Sequence, residues 1–455
     1  MKIAILATYG LVLLLIGVYS AFRIKSPVDY FVAGKRNGIL QISGSLLASI
    51  LGGSAILGTA NLAMTQSWAA AWYLLAASAG LWLLLPLVKK VNQLGKFTLT
   101  DMIGRFYGET ARKSASVIIP LAWTGIVAAQ VIAASKILVS IFGLSYENGV
   151  WLSGAVFIAY TLIGGQVSIL KTDFLQAIII LLGILFSGIF LYFEHGTHTT
   201  PIASSFPFNV QFSPVDLFIL FLTFSSTFVV GPDIYSRVFC ARDENTARKS
   251  ILIVASILIP FAFLPTYLGV FATENLPYEQ LHSSVALMEL IDFYLPEWVV
   301  GLMAAALLSA VLSSADTTLL TASMMLSELF NPDIDNRKSL NETRLFIVLV
   351  GLASMVIALK VTSIIGTLLL ALAFYSGAFI VPLIAALADI KINKKLSIPA
   401  MIIGGTIALT GKILVSNLGM SWGNWVIVSA FAINFIILKI PFVFNPVNKE
   451  EEPAK

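Results

Sequence analysis

The sequence predicts an all-α integral membrane protein of about thirteen transmembrane helices. Three observations predict it. Of 455 residues, 58% are hydrophobic and only 11% charged, against about 25% charged in a soluble domain. Apolar runs of roughly 20 residues, the length that spans hydrocarbon as a helix, recur from one end to the other. The alternating segments of about 10 residues that mark barrel strands are absent. A soluble fold of this length has no interior that could hide so much apolar surface, and lipid removes that difficulty.

The spans fall at approximately 3–22, 39–63, 68–88, 115–143, 148–165, 173–193, 214–236, 250–272, 296–328, 343–361, 363–387, 397–416 and 421–441. The apolar run that follows Met1 and Lys2 exceeds the roughly 7–15 residues of a signal-peptide core, so it reads as a first span. Charge tests the count. With the N-terminus outside, the inner segments hold 24 of the 28 lysines and arginines. They include Arg23, Lys25, Lys35 and Arg36 after the first span. Lys89, Lys90, Lys96, Arg105, Arg112 and Lys113 follow the third, and Arg237, Arg242, Arg248 and Lys249 the seventh. Lys439, Lys449 and Lys455 come last. The outer side keeps Lys2, Lys136, Lys360 and Lys412. Cytoplasmic loops accumulate Lys and Arg, and moving one span in or out of the count would invert every later loop. The expectation is a multi-pass protein of the cell membrane, surrounded by lipid, with its C-terminus in the cytoplasm. The short polar tail after Phe442 is expected to be disordered.

Several function classes drop out. The net charge of +4 comes from basic residues lying between apolar runs, which gives no basis for nucleic-acid binding. The single cysteine, Cys240, excludes an internal disulfide and a thiolate metal cluster. His195, His198 and His282 fall in polar connections, against a buried histidine proton relay. No His/Asp/Glu grouping supplies a nucleophile or metal centre, so the chain is not read as an enzyme. The short tail offers no signalling domain to a transporter-shaped sensor, and no obligate protein partner is evident.

Backbone in lipid is left unpaired only where it lines a protein-enclosed cavity, so interrupted spans are informative. The second span carries Gly52-Gly53-Ser54 near its middle, and the seventh carries Gly231-Pro232-Asp233. Close helix packing and an ordinary kink explain either one alone. Together they open two groups of five spans, and because five is odd the second group starts from the opposite side of the membrane. Interrupted helices at matching positions of two inverted halves point to a transporter binding site. The halves run over 39–194 and 195–390, preceded by an extra helix in 1–38 and followed by accessory helices in 391–455.

The ninth span carries Ala310, Ser313, Ser314, Asp316, Thr317 and Thr318 in an otherwise apolar run. Ala310, Ser313 and Ser314 share one helical face. Two readings fit: hydroxyls bonded back to their own helix, or oxygen ligands for a hard cation such as sodium. Asp173 reads either as a charge at a helix N-terminus or as an ion or proton carboxylate near the inner exit. Asp233 and Asp316, at membrane depth, call for a wet cavity or a bound proton. The freed amides of Gly52, Gly53 and Ser54 at a half-helix N-terminus suit a carboxylate-bearing solute. Trp72, Tyr73, Phe228, Asp233, Phe374 and Tyr375 are candidate walls.

Four segments resemble the sodium:solute symporter family, which includes bacterial proline and galactose symporters. They are Tyr30 to Arg36 (YFVAGKR), Gly164-Gly165 with Thr172-Asp173 and Gln176, Pro232 to Ala241 (PDIYSRVFCA), and Ser313-Ser314-Ala315-Asp316. The resemblance covers roughly residues 25–390. It implies a leucine-transporter-like inverted repeat and a co-transported sodium ion. The ion would be held by the carbonyls of Ala48, Leu51 and Ala310 and the hydroxyls of Ser313 and Ser314. Asp173 would line the ion's exit or help bind a second sodium. Ile50 stands where proline symporters carry an acid, and Ser54 and Ala55 stand where galactose symporters carry sugar-binding side chains, so the resemblance names no solute. The expected function is sodium-driven symport of a small organic solute, an amino acid or other carboxylate favoured, by alternating access. A proton-coupled carrier using Asp173 or Asp316 is the nearest alternative.

Overall fold

The computed structural model describes residues 1–95, 97–195, 201–277, 286–331 and 336–440. Lys96, His198, His282, Lys449, Lys455 and the tail after Phe442 lie outside them. The chain runs through α1 (Lys2–Ala21), α2 (Pro27–Val32), α3 (Ile39–Ile50), α4 (Gly53–Gln66), α5 (Trp72–Leu84), α6 (Val88–Leu94), α7 (Leu99–Tyr107) and α8 (Glu109–Phe142). It continues through α9 (Tyr146–His195), α10 (Pro214–Leu220), α11 (Ser226–Val230), α12 (Pro232–Cys240), α13 (Glu244–Phe261), α14 (Phe263–Asn275) and α15 (Ala286–Tyr294). It ends with α16 (Glu297–Phe330), α17 (Arg337–Lys360), α18 (Ile364–Leu387), α19 (Ser397–Leu418) and α20 (Gly423–Lys439). Among the described residues the only strand-like pairings are two isolated bridges, Asn37 with Ala241 and Asn209 with Phe212.

Ten helical stretches among the described residues are long and apolar enough to cross a membrane. Ile39–Ile50 and Gly423–Lys439 are apolar but shorter. Packing ranks them. In the apolar window of α16, 78% of residues are buried, against 22% in α1, so α16 is the central element and α1 lies at the periphery. α16 packs along α8 and α9, α3 packs along α9, and α1 leans on α9 and α16. α19 and α20 pack on α18, which itself packs along α8.

Three interruptions shape the core. α3 gives way to α4 through Leu51 and Gly52, whose ψ of 40° and 170° leave the helical region. α11 gives way to α12 at Gly231, with ψ 130°. Pro232 then takes the first position of α12, where its missing N–H costs nothing. α9 bends at Gly165, φ 48° and ψ −161°. This left-handed region suits glycine, and a Cβ there would sit 2.5 Å from the Tyr30 ring. The two helical parts of α9 are therefore 146–164 and 166–195. That corrects one expectation. Asp173 is not at a helix start but two turns inside the second part, beyond the first turn where a helix dipole acts.

Candidate ion and solute site

The break between α3 and α4 lies against α16. Because α3 ends at Ile50, its last-turn carbonyls, that of Ala48 among them, lose their helical partners, as does the carbonyl of Leu51 just beyond its end. Gly52 presses so close to α16 that a Cβ on it would meet the Ser314 Oγ at 2.2 Å and the Ala310 carbonyl oxygen at 3.6 Å. The Ser314 hydroxyl donates to the carbonyl of Ser49 at 2.7 Å, and the Ser313 hydroxyl donates to Asp173 Oδ1 at 2.6 Å. Freed carbonyls and two hydroxyls of one α16 face thus converge at the break. This is an oxygen-rich setting that borders the cavity at Ser49 and Ser314.

Asp173 is fully buried and extends the cluster away from the break. Its Oδ2 accepts from the Ser45 hydroxyl and, at 3.1 Å, from the guanidinium of Arg237. Arg237, also fully buried, donates from Nε to Ser45 Oγ at 3.0 Å and from Nη2 to Ser49 Oγ at 2.8 Å and to Thr317 Oγ1. Asp316, one turn along α16 from Ser313, is buried with neither carboxylate oxygen hydrogen-bonded.

A cavity of about 110 Å³ opens on the other side of the break. Ser49, Ser54 and Ala55 line one wall, Trp123 and Gln130 of α8 a second, and Asp233 with Phe228 and Gly231 a third. Tyr73, stacked on Phe224 at 4.2 Å, completes it. The Gln130 amide donates to Ser54 Oγ at 3.2 Å, and the Trp123 indole N–H donates to both oxygens of Asp233 at 2.9 and 3.0 Å. The Tyr73 hydroxyl and the Gln130 Oε1 are buried without a hydrogen-bond partner. Drug-sized ligands fill roughly 300–1,000 Å³, so this chamber suits a small occupant.

A broken helix beside an oxygen cluster and a small, mostly apolar chamber with a few polar groups is a transporter's architecture, and comparison with known proteins agrees. The sequence model of the sodium:solute symporter family matches residues 30–404. The chain belongs to that family. A sodium/proline symporter of Haemophilus influenzae is 25% identical over 348 residues, 70% of this chain and 68% of that one. The high-affinity proline transporter PutP of Bacillus subtilis is 22% identical over 93% of this chain and 94% of its own. A Na+-coupled sialic acid symporter, solved substrate-bound and outward-open, superimposes with a TM-score of 0.81 at 20% identity over 96% of both chains. Mhp1, a nucleobase-cation-symport-1 family transporter, gives 0.57 at 12% identity over 90% of this chain and 93% of that one. These structures share the fold. The chain is thus a multi-pass, sodium-coupled membrane transporter and not an enzyme.

Within this symporter the residues expected at the solute site separate into three groups. Ser54, Tyr73, Phe228 and Asp233 line the cavity. Gly52 and Gly53 stand just behind it against α16, and Tyr375 backs Trp123, ring centroids 4.6 Å apart, with its hydroxyl on the Val230 carbonyl. Trp72 and Phe374 stand elsewhere. Trp72 stacks on Phe206 at 5.5 Å and donates to the Pro207 carbonyl at 3.0 Å, while Phe374 packs on Gly405. Trp123, Gln130, Ser45, Ser49 and Arg237 escaped the sequence reading as site residues. Arg237 was counted there as an inner-loop charge, and it is instead buried in the core. The available signal was its position one helical turn past Asp233, just after a break at membrane depth.

Proposed function

We propose that this symporter drives a small zwitterionic amino acid across the cell membrane with sodium, by alternating access. One observation carries the reading: the cavity has opposite electrostatic walls. The uncapped N-terminus of α4 faces it, where the amide N–H groups of Gly53 and Ser54 have no partner in their own helix. Such a terminus attracts a carboxylate. Asp233 stands on the facing wall, suited to an ammonium group. Its proline-transporting relatives support an amino acid, and proline is the first solute to try.

The coupling ion is assigned to the carbonyls of Ala48, Leu51 and Ala310 and the hydroxyls of Ser313 and Ser314. Sodium bound there ties the α3–α4 break to α16 and so favours the state that completes the solute chamber. Such a shift cannot exceed sodium's differential affinity for the two states, and the membrane potential adds roughly 2.3 kcal/mol per charge per 100 mV. The broken helices α3–α4 and α11–α12 open halves at 39–194 and 195–390 that are related by inversion. With the chain counted through the bend at Gly165 and through Gly53–Leu94, thirteen spans put the N-terminus outside and the C-terminus in the cytoplasm. The lipid-facing crevice of about 440 Å³ between α1, α8, α9 and α16 is almost wholly apolar and suits an acyl chain rather than the solute.

Uptake of labelled amino acids, carboxylates and sugars into proteoliposomes, driven by a sodium gradient at fixed pH, tests the proposal. Amino-acid uptake that collapses without the sodium gradient is expected. Sugar uptake alone would sink the zwitterion, and uptake driven by protons without sodium would replace the coupling ion.

A further inference from the structure

We infer that the Arg237 guanidinium is a fixed internal cation that fills the Asp173 end of the cluster, so that this carrier binds one sodium and not two. The inference rests on the sodium site assigned at Ser313 and Ser314.

The argument begins with what a second sodium at Asp173 would need. A hard cation takes carboxylate, hydroxyl and carbonyl oxygens. The oxygens available around Asp173 are its own two and those of Ser45, Ser49, Ser313 and Thr317. Arg237 already takes four of these six, and the other two, Asp173 Oδ1 and Ser313 Oγ, are bonded to each other. Its Nη2 lies 3.1 Å from Asp173 Oδ2 and 2.8 Å from Ser49 Oγ, and also reaches Thr317 Oγ1, while Nε takes Ser45 Oγ at 3.0 Å. Ser45 and Ser313 spend their protons on Asp173 itself. Every oxygen on the Arg237 side therefore points at a guanidinium, and the charge a second sodium would supply is already there.

Arginine suits this task. It stays protonated in proteins, is less strongly hydrated than an ammonium ion, and spreads its donors in a rigid fork. It is also covalently anchored one turn beyond Asp233 on α12, so it cannot leave with the cargo. Its position has a further consequence. α12 follows the second broken helix, whereas Asp173 belongs to α9 and Ser45 and Ser49 to α3. The guanidinium thus ties both broken helices to α9, leaving the Ser313–Ser314 end of the cluster to a mobile ion.

The test is a count of ions that needs no knowledge of the solute. Radioactive sodium is titrated onto the purified full-length protein in detergent, with N-methylglucamine replacing sodium. One saturable ion per protein is expected, and two would overturn the inference. No saturable sodium would remove the sodium assignment beneath it, a result distinct from a count of two. Arg237→Gln leaves Asp173 without its counter-charge and is expected to bind a second sodium. A count of one in this variant would show that the guanidinium is not what excludes the ion, and would also overturn the inference. Should Arg237→Gln fail to fold, the double variant Asp173→Asn with Arg237→Gln removes both charges and should again bind one sodium. Loss of all sodium from the double variant would mean that Asp173 holds the single ion, contrary to the inference.

Discussion

The indole N–H of Trp123 bridges both carboxylate oxygens of Asp233, at 2.9 and 3.0 Å. The bridge joins α8 to the first turn of α12 across the wall of the solute chamber. Asp233 is thereby held in place at the cavity wall, and the indole packs against the Tyr375 ring behind it.

This pair gives the first prediction. Trp123→Phe keeps the ring and its packing but removes the N–H. A hydrogen bond to a charged group contributes about 1.5–3 kcal/mol, so the half-saturating concentration of the transported amino acid should rise about tenfold or more. Asp233→Asn removes the charge and should cost more. Saturation curves for sodium-driven uptake in proteoliposomes read both. Unchanged curves in both variants would show that Asp233 does not face the solute.

The hydroxyls of Ser313 and Ser314 should act on sodium rather than on the solute. Ser313→Ala and Ser314→Ala each remove an oxygen from the α16 face at the break. The sodium concentration for half-maximal uptake should rise several-fold in each, well beyond the effect of an apolar change such as Leu312→Val nearby. Equal sodium dependence in all three would refute the ligand assignment.

Gly52 and Gly58 offer a matched comparison on the same span. A Cβ on Gly52 would lie 2.2 Å from Ser314 Oγ, a distance that forces the break away from α16. A Cβ on Gly58 would lie 3.4 Å from Ile365, within ordinary contact. Gly52→Ala should abolish sodium-driven uptake while the protein still reaches the membrane, and Gly58→Ala should transport near the normal rate. Parity of the two variants would mean that close approach at the break is not needed.

Much of this architecture was legible because lipid imposes simple rules. Span length follows from hydrocarbon thickness, and the breaks at Gly52 and Gly231 follow from glycine and proline chemistry. The oxygen cluster at the break was partly legible, since Ala310, Ser313 and Ser314 announce a shared face by their spacing alone. Arg237 was not, because a charge near a span end reads as a loop charge until tertiary packing buries it. Trp72 and Phe374 illustrate the reverse. An aromatic side chain in an apolar run carries no mark of which neighbour it meets, and these two meet Phe206 and Gly405. Asp173 was placed at a helix start because nothing in the sequence sets the bend at Gly165 apart from an ordinary close-packing glycine.

A last prediction concerns the far end of α16. Glu328 is fully buried there and accepts from the hydroxyls of Thr98 and Thr100 at the start of α7. Arg112 of α8, paired with Glu109, donates to the Glu328 carbonyl at 3.0 Å. One residue thus fastens the starts of α7 and α8 to the central helix. Glu328→Ala leaves the Thr98 and Thr100 hydroxyls only each other, 2.9 Å apart, so one of the two loses its acceptor, at about 1–3 kcal/mol for an unsatisfied buried group, and the unfolding temperature should fall by several degrees. Glu328→Gln keeps one carbonyl oxygen and should fall between the two. The measurement suits this chain, because its single cysteine, Cys240, is buried and free, so a thiol-reactive dye reports the loss of the core directly. An unfolding temperature in Glu328→Ala equal to that of the parent protein would show that the carboxylate does not hold these helices together.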